Sequence, residues 1–181
     1  DGIFKLIYVG GLVCIRGISE LIKAVEKLTP EKKIRLILCG VFETEKYEKE
    51  VKSMDGFQKV EYRGWVNPGE IPPLLAECEA GLVCFLPEPN HVDAMPNKIF
   101  EYMSAGLPVI ASHFPLWKKI IEKNNCGLCV DPVNSAEIAN AIEFLYDNPD
   151  RALEMGQNGK NAVRELYNWE QEGEKLLMFY K

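Results

Sequence analysis

The stretch HVDAMPNKIFEYMSAGLPVIAS, residues 91–112, holds the side chains whose types and spacing are best suited to chemistry. Lys98 and Glu101 are three apart and Asn97 and Glu101 four apart, so on a helix the three share a side. A carboxylate in that position can accept two hydrogen bonds from a ribose diol. The same spacing also fits a solvated face carrying a Lys98–Glu101 ion pair, worth about 0.2–0.5 kcal/mol. The helix itself is predicted from its ends. Pro96 suits the first helical turn, Gly106 the position after the last, and Pro108 bars continuation. Ile99, Phe100 and Met103 can then face a core. His91 and Asp93 in the preceding loop are too close along the chain to read as a triad, and His91 is expected to be an exposed loop residue.

A second stretch, VGGLVCIRGISEL (residues 9–21), is a glycine turn between a strand and a helix. Gly10 and Gly11 let backbone approach a ligand, free N–H groups at the helix start can hold phosphate, and Arg16 is a fork-shaped donor suited to a pyrophosphate. The other reading is a tight turn with an exposed arginine. The glycines form neither G-x-G-x-x-G nor a Walker A loop, which removes support for NAD and P-loop chemistry. There is no D-x-D to clamp a metal on a diphosphate and no G-x-S-x-G nucleophile elbow.

The elements that must position these residues are legible in the hydrophobic pattern. Short apolar runs (FKLIYVG, IRLILCG, KVEYRG, AGLVCFL, PVIAS and CGLCVDP) recur between helical patterns. Several lack alternation, as parallel strands covered on both faces do. Ile18, Leu21, Ile22, Val25 and Leu28 follow the spacing of an amphipathic helix. Another helix begins at NSAEIANAIEFL, with Asn134 as cap and Ile138, Ala141, Ile142 and Leu145 as its buried stripe. The predicted fold is α/β: a doubly wound parallel sheet of about six strands with helices on both faces. Residues 1–181 are expected to form one domain. In such sheets ligands bind where loops leave the carboxyl ends of the strands.

Composition narrows the function classes. With 47% hydrophobic and 27% charged residues, the chain has an ordinary globular balance. A net charge of −6 argues against a nucleic-acid surface or a basic membrane patch. No apolar segment approaches the ~20 residues needed to span a bilayer. Of six cysteines, Cys39, Cys84, Cys126 and Cys129 fall in or beside apolar runs, where free thiols behave as small hydrophobes. Cys126-x-x-Cys129 lacks the second pair a zinc site needs, and Cys126 is expected to open a strand. Reduced thiols in a cytoplasmic protein are the reading adopted, and no metal ligands are assigned. The chain opens at DGIFKLIYVGG without an initiator Met and is expected to be a piece of a longer protein.

Taken together, YVGGLVCIRGISELIKAV, VEYRGWVNPGEIPPLLAECEAGLVCFLP, PNKIFEYMSAGLPVIAS, NCGLCVDP and the tail ELYNWEQEGEKLLMFY resemble the C-terminal, nucleotide-sugar-binding half of the group 1 glycosyltransferases. These are retaining enzymes of the GT-B fold, common in bacterial polysaccharide and capsule synthesis. The resemblance covers nearly the whole chain and rests on the order and spacing of the blocks. It implies that Glu101 binds the ribose hydroxyls and Asp93 the donor sugar, the two acids of a paired motif. It implies that Gly10, Gly11 and Arg16 face the diphosphate, although the family carries a basic residue where this chain has Gly11. Met95, Pro96, Asn97 and Lys98 would approach diphosphate and sugar with backbone N–H groups, and Lys98 would replace the lost charge. Trp65 and Val66 would flank the base. The implied partners are a UDP- or GDP-linked sugar, without metal or other cofactor, and a carbohydrate or lipid-linked acceptor held by an N-terminal domain. Cytoplasmic placement, at most peripheral to the inner membrane, follows from the same resemblance. The tail helix would pack partly against the N-terminal half. A nucleotide-sugar epimerase, a non-catalytic binding module and a ligand-free scaffold are the competing readings.

Overall fold

A computed structural model of the protein describes residues 2–168, 170, 173, 177 and 178. Six strands alternate with helices: β1 (Phe4–Val9), α1 (Ile18–Lys27), β2 (Ile34–Cys39), α2 (Glu45–Lys52), β3 (Val60–Gly64), α3 (Ile71–Leu75), β4 (Ala80–Val83), α4 (Pro89–Val92), α5 (Asn97–Ala105), β5 (Val109–Ser112), α6 (Pro115–Asn124), β6 (Gly127–Val130), α7 (Ser135–Asp147) and α8 (Pro149–Leu166). The tail helix expected over residues 168–180 lies largely outside the described residues.

The strands form one parallel sheet in the order β3-β2-β1-β4-β5-β6. The chain winds outward from β1 to β3, then returns to place β4 on the other side of β1. That reversal is a topological switch point: the loops after β1 and β4 leave toward opposite faces and open a crevice between them. The predicted six-stranded, doubly wound fold is the observed one.

The apolar runs explain this arrangement. Leu6, Ile7 and Tyr8 of β1 and all four residues of β4 are buried, as central parallel strands require. Helix α1 buries Ile18, Leu21, Ile22 and Val25, and Leu28 just beyond its end is buried too. Each such side chain removed from water contributes about 1.5–3 kcal/mol before chain entropy is subtracted. Asn134 caps α7 by accepting from the amides of Ala136 and Glu137, and Ile138, Ala141, Ile142 and Leu145 are its buried stripe. α1 packs on α7 on one face of the sheet, and α5 packs on α8 on the other. The first pair is tied at its rim: Thr29 donates its amide and its hydroxyl to Glu143, each at 2.7 Å, and Lys32 reaches Asp147 at 2.6 Å and Glu143 at 3.4 Å.

Helix α5 lies against β4 because Gly81 has no side chain: a Cβ there would come within 2.2 Å of the Tyr102 ring. The helix ends at Gly106 in the left-handed conformation, φ 78°, as predicted. Two boundaries differ from expectation. Pro96 stands just before α5, as its cap, with extended ψ of 131°, because the first helical residue is Asn97. Cys126 is fully buried but precedes β6, which begins at Gly127.

Candidate functional site

The crevice at the switch point is built from the ends of β1, β2 and β4. Gly10 follows β1 with φ 145°, a conformation that disfavours any side chain, and its amide donates to the Cys39 carbonyl at 2.9 Å. Gly40, at φ 146°, lies so close that a Cβ there would sit 1.8 Å from the Gly10 oxygen. The Tyr8 hydroxyl donates to the Gly11 carbonyl at 3.0 Å, and the Val9 amide donates to the Tyr102 hydroxyl at 3.0 Å. On the opposite lip, the Ser112 hydroxyl holds the Phe85 carbonyl at 2.7 Å and the Leu86 amide donates to Ile15 at 2.9 Å. Both lips are therefore fixed by hydrogen bonds within the fold. Gly10 N–H goes to Cys39, and at the helix start, where free amides were expected, Gly17 N–H goes to Cys14 at 2.9 Å. The cause is the close approach of neighbouring backbone, which the glycines permit.

Positive charge in the crevice comes from side chains. Arg16 and Lys98, both half-buried, converge on the glycine turn. A Cβ at Gly10 would lie 2.7 Å from Lys98 Nζ and 3.4 Å from Arg16 Nη1, and one at Gly11 would lie 3.3 Å from Arg16 Nη1. The guanidinium carbon stands 5.5 Å from the Phe85 ring centre, and the ammonium 5.8 Å from Phe85 and 5.9 Å from Tyr8. Burial, and then the charge of Arg16, hold the Lys98 ammonium below its usual range, while Glu101 pulls in the other direction. Burial pushes the Tyr8 hydroxyl up to about 12 against the opposing pull of Arg16. Neither cation is in an ion pair among the described residues, so the Lys98–Glu101 surface pair allowed by the sequence is not formed. Lys98 turns inward to the aromatic rings and Glu101 outward. Two half-desolvated like charges repel one another, and an anion between them would relieve both.

Glu101 is exposed and stands where two clefts meet. One, of about 600 Å³, is lined by Met95, Asn97, Phe100, Glu101, Ser104 and Tyr167 among others. Its neighbour, of about 550 Å³, runs along Ile71, Pro72, Leu75 and Ala76. The positive end of α5 lies at Asn97 and Lys98, beside the first cleft. Trp65, exposed, and Val66, half-buried, line a different cleft with Arg63, Glu70 and Leu74. Asp93 is exposed at the end of α4. Gly10, Arg16 and Lys98 thus come together, with Glu101 one helical turn beyond Lys98. Met95 and Asn97 share the cleft of Glu101, and Pro96 caps the same helix. Trp65 and Val66 stand apart from these.

His91 corrects an expectation. It is buried at 8% exposure, in α4, with Nδ1 3.1 Å from the Leu86 carbonyl and its ring 4.9 Å from that of Phe85. The burial follows from the fold of the 85–96 loop onto α6, where Trp117 Nε1 donates to the Ala94 carbonyl at 2.6 Å. Tyr8, Phe85, Tyr102 and Trp117 shape the crevice, yet in the sequence they are indistinguishable from core aromatics. The position of Tyr8 and Phe85 at the ends of β1 and β4 was the available signal. Among the described residues, no three His, Cys, Asp or Glu side chains are grouped so as to hold a metal ion, and no helix is long and apolar enough to cross a membrane.

Comparison with known proteins follows the geometry. Residues 2–162 match the family model described as glycosyl transferases group 1. The α-(1→4)-mannosyltransferase named for MMP from Mycolicibacterium hassiacum is 25% identical over 174 residues, 93% of this chain and 40% of that protein. Among solved structures, the C-terminal domain of a group 1 glycosyl transferase family protein from Francisella tularensis superposes with a TM-score of 0.79 at 20% identity, over 92% of this chain and 87% of that one. The Anabaena protein HepE, solved with UDP, superposes with a TM-score of 0.81 at 21% identity, over 98% of this chain and 49% of that one. The chain spans less than half the length of the curated relatives it matches across most of its own length. The all-parallel sheet with flanking helices is that of a GT-B Rossmann-like domain, and the likeness is to the C-terminal domain of such proteins. The chain belongs to the group 1 glycosyltransferases.

Proposed function

We propose that this chain is the donor-binding domain of a retaining, metal-independent glycosyltransferase that moves a sugar from a nucleotide-diphosphate sugar to an acceptor in polysaccharide or capsule biosynthesis. The observation that carries the reading is the convergence of Arg16 and Lys98 on the Gly10–Gly11 turn at the switch point, with Glu101 on the same helix as Lys98. The cations face the diphosphate. The Glu101 carboxylate accepts from the ribose hydroxyls, Asp93 from hydroxyls of the donor sugar, and the start of α5 at Met95–Lys98 presents its positive end to the same ligand. Trp65 and Val66 flank the base from the neighbouring loop. HepE, solved with UDP, supports a UDP-linked donor, with a GDP-linked one as the alternative, and the mannosyltransferase relative supports sugar transfer.

In the reaction, the bond between the anomeric carbon and the diphosphate oxygen breaks and its electron pair stays on the diphosphate. Arg16 and the positive end of α5 stabilise that developing charge without reorganising, because both are already fixed by the fold. The acceptor hydroxyl attacks from the face the diphosphate leaves and gives its proton to the departing diphosphate oxygen, which retains configuration. It is held by an N-terminal domain, and the complete enzyme is cytoplasmic, at most peripheral to the inner membrane. A titration of ¹⁵N-labelled protein with UDP-glucose and GDP-mannose tests the reading. Shifts gathering at Gly10, Gly11, Lys98 and Glu101 are expected with one of them. Shifts elsewhere, or none, would refute it.

A further inference from the structure

The segment from Phe85 to Pro96 joins the end of β4 to the start of α5, and His91 stands in its middle. We infer that Nε2 of His91 accepts a hydrogen bond from a hydroxyl of the donor sugar, so that this histidine helps to decide which sugar is held. The inference rests on the donor-binding reading above and assigns one more residue to the sugar end of that ligand.

Three observations support it. First, the ring has one committed nitrogen and one spare. His91 is 8% exposed, and its Nδ1 lies 3.1 Å from the Leu86 carbonyl. A carbonyl only accepts, so Nδ1 carries the proton and Nε2 of the neutral ring is an acceptor. Nε2 has no hydrogen bond among the described residues. Among those residues Glu20 Oε2 is the one side-chain atom both sealed from solvent and unpartnered, so Nε2 is open. Second, the ring is held rigidly. The His91 amide donates to the Glu88 carbonyl at 2.8 Å, and its carbonyl accepts from the Ala94 amide at 3.2 Å. Ala94 is tied in turn to Trp117, and the imidazole packs 4.9 Å from the Phe85 ring. A nitrogen fixed before the ligand arrives loses little freedom on binding. Third, its neighbours belong to the crevice. The Phe85 ring also stands 5.5 Å from the Arg16 guanidinium carbon and 5.8 Å from the Lys98 ammonium, so one aromatic ring borders all three. An acceptor suits a hydroxyl and not a diphosphate, whose oxygens themselves accept. The ribose hydroxyls belong to Glu101, one turn beyond Lys98, whereas His91 lies two residues before Asp93.

Two substitutions separate this contact from the bond to Leu86. His91→Asn places an amide nitrogen where Nδ1 stood and has nothing at Nε2, while His91→Gln reaches the Nε2 position with an acceptor oxygen. Calorimetry compares UDP with UDP-glucose and GDP with GDP-mannose on the wild type and both variants, with a thermal scan to verify folding. Ring ¹⁵N spectra of the wild type report both nitrogens and need no variant. They are expected to show the Nδ1–H tautomer, with an Nε2 signal that moves with a sugar-linked nucleotide and not with the nucleotide alone. His91→Asn is expected to weaken the sugar-linked form about three- to tenfold relative to its nucleotide, and His91→Gln less. A loss shared equally by nucleotide and sugar-linked form, no loss at all, or an Nε2 signal indifferent to the sugar would overturn the role of His91 and leave donor binding intact. Nucleotide binding by the wild type with neither sugar-linked form bound would do the same. If the wild type binds none of the four, the donor-binding reading falls together with the inference.

Discussion

The amide of Val9, the last residue of β1, donates to the hydroxyl of Tyr102 in α5 at 3.0 Å, and Tyr102 is fully buried. This bond links the glycine turn to the helix that carries Lys98 and Glu101. It fixes the distance between them from within the core. Removing the hydroxyl leaves a buried N–H without its acceptor, which costs about 1–3 kcal/mol. Tyr102→Phe is expected to lower the unfolding free energy by that amount in a urea titration and to weaken nucleotide binding, although the residue touches no ligand.

The approach of Gly40 to Gly10 is backbone against backbone, so no rotamer can relieve an added methyl group. With its φ of 146° and a Cβ placed 1.8 Å from the Gly10 oxygen, Gly40→Ala is expected to cost about 3 kcal/mol. For a chain of this size that lowers Tm by roughly 10 °C. Differential scanning calorimetry checks it, and an unchanged Tm would mean that the turn is looser than described.

Lys98 gives the binding and the stability of the free protein opposite dependences on pH. Its pKa in the fold lies below the ordinary 10.5, through burial first and Arg16 second. Between the folded value and 10.5 the unfolded chain holds more protons, so this group makes stability rise with pH across that window. Diphosphate affinity should fall across the same window as the ammonium is lost. Lys98→Met should abolish both trends, and should raise the stability of the ligand-free protein at neutral pH. Thermal scans from neutral to alkaline pH, with and without UDP or GDP, measure both.

At the rim, Glu143 is held below its ordinary 4.5 by the Thr29 amide and hydroxyl first and by Lys32 as well. The sign is that of a depressed carboxylate: its contribution is complete above 4.5 and is lost as pH falls through the folded value. Glu143→Gln is expected to flatten the acid side of the stability profile. An identical acid limb in the variant would remove this cluster from the account.

Much of the fold was readable because its signals are local. Six apolar runs became six strands, Asn134 became a cap, and Gly106 ended α5, each from residues within a few positions of one another. The site was readable only in part. The spacing of Asn97, Lys98 and Glu101 marked a helix side, but not that Lys98 would bend inward to the rings while Glu101 faced out; that depends on Tyr8 and Phe85, which are distant in sequence. The Gly10–Gly11 turn looked open to a ligand, and the Gly10 amide is used by Cys39 of the next strand. His91 looked exposed and is covered by Phe85 and the loop held by Trp117. In each case a partner from another element decided the outcome.

The central claim is a nucleotide-diphosphate site in the crevice, independent of metal. Calorimetric titration of this chain with UDP, GDP and ADP, with and without EDTA, and repeated on Glu101→Ala, tests it most directly. The account predicts saturable binding of one of these nucleotides, unchanged by EDTA and weakened about tenfold or more by the substitution, as expected for loss of charged hydrogen bonds to the ribose. Absence of binding at millimolar concentration, or binding equally tight in Glu101→Ala, would contradict it.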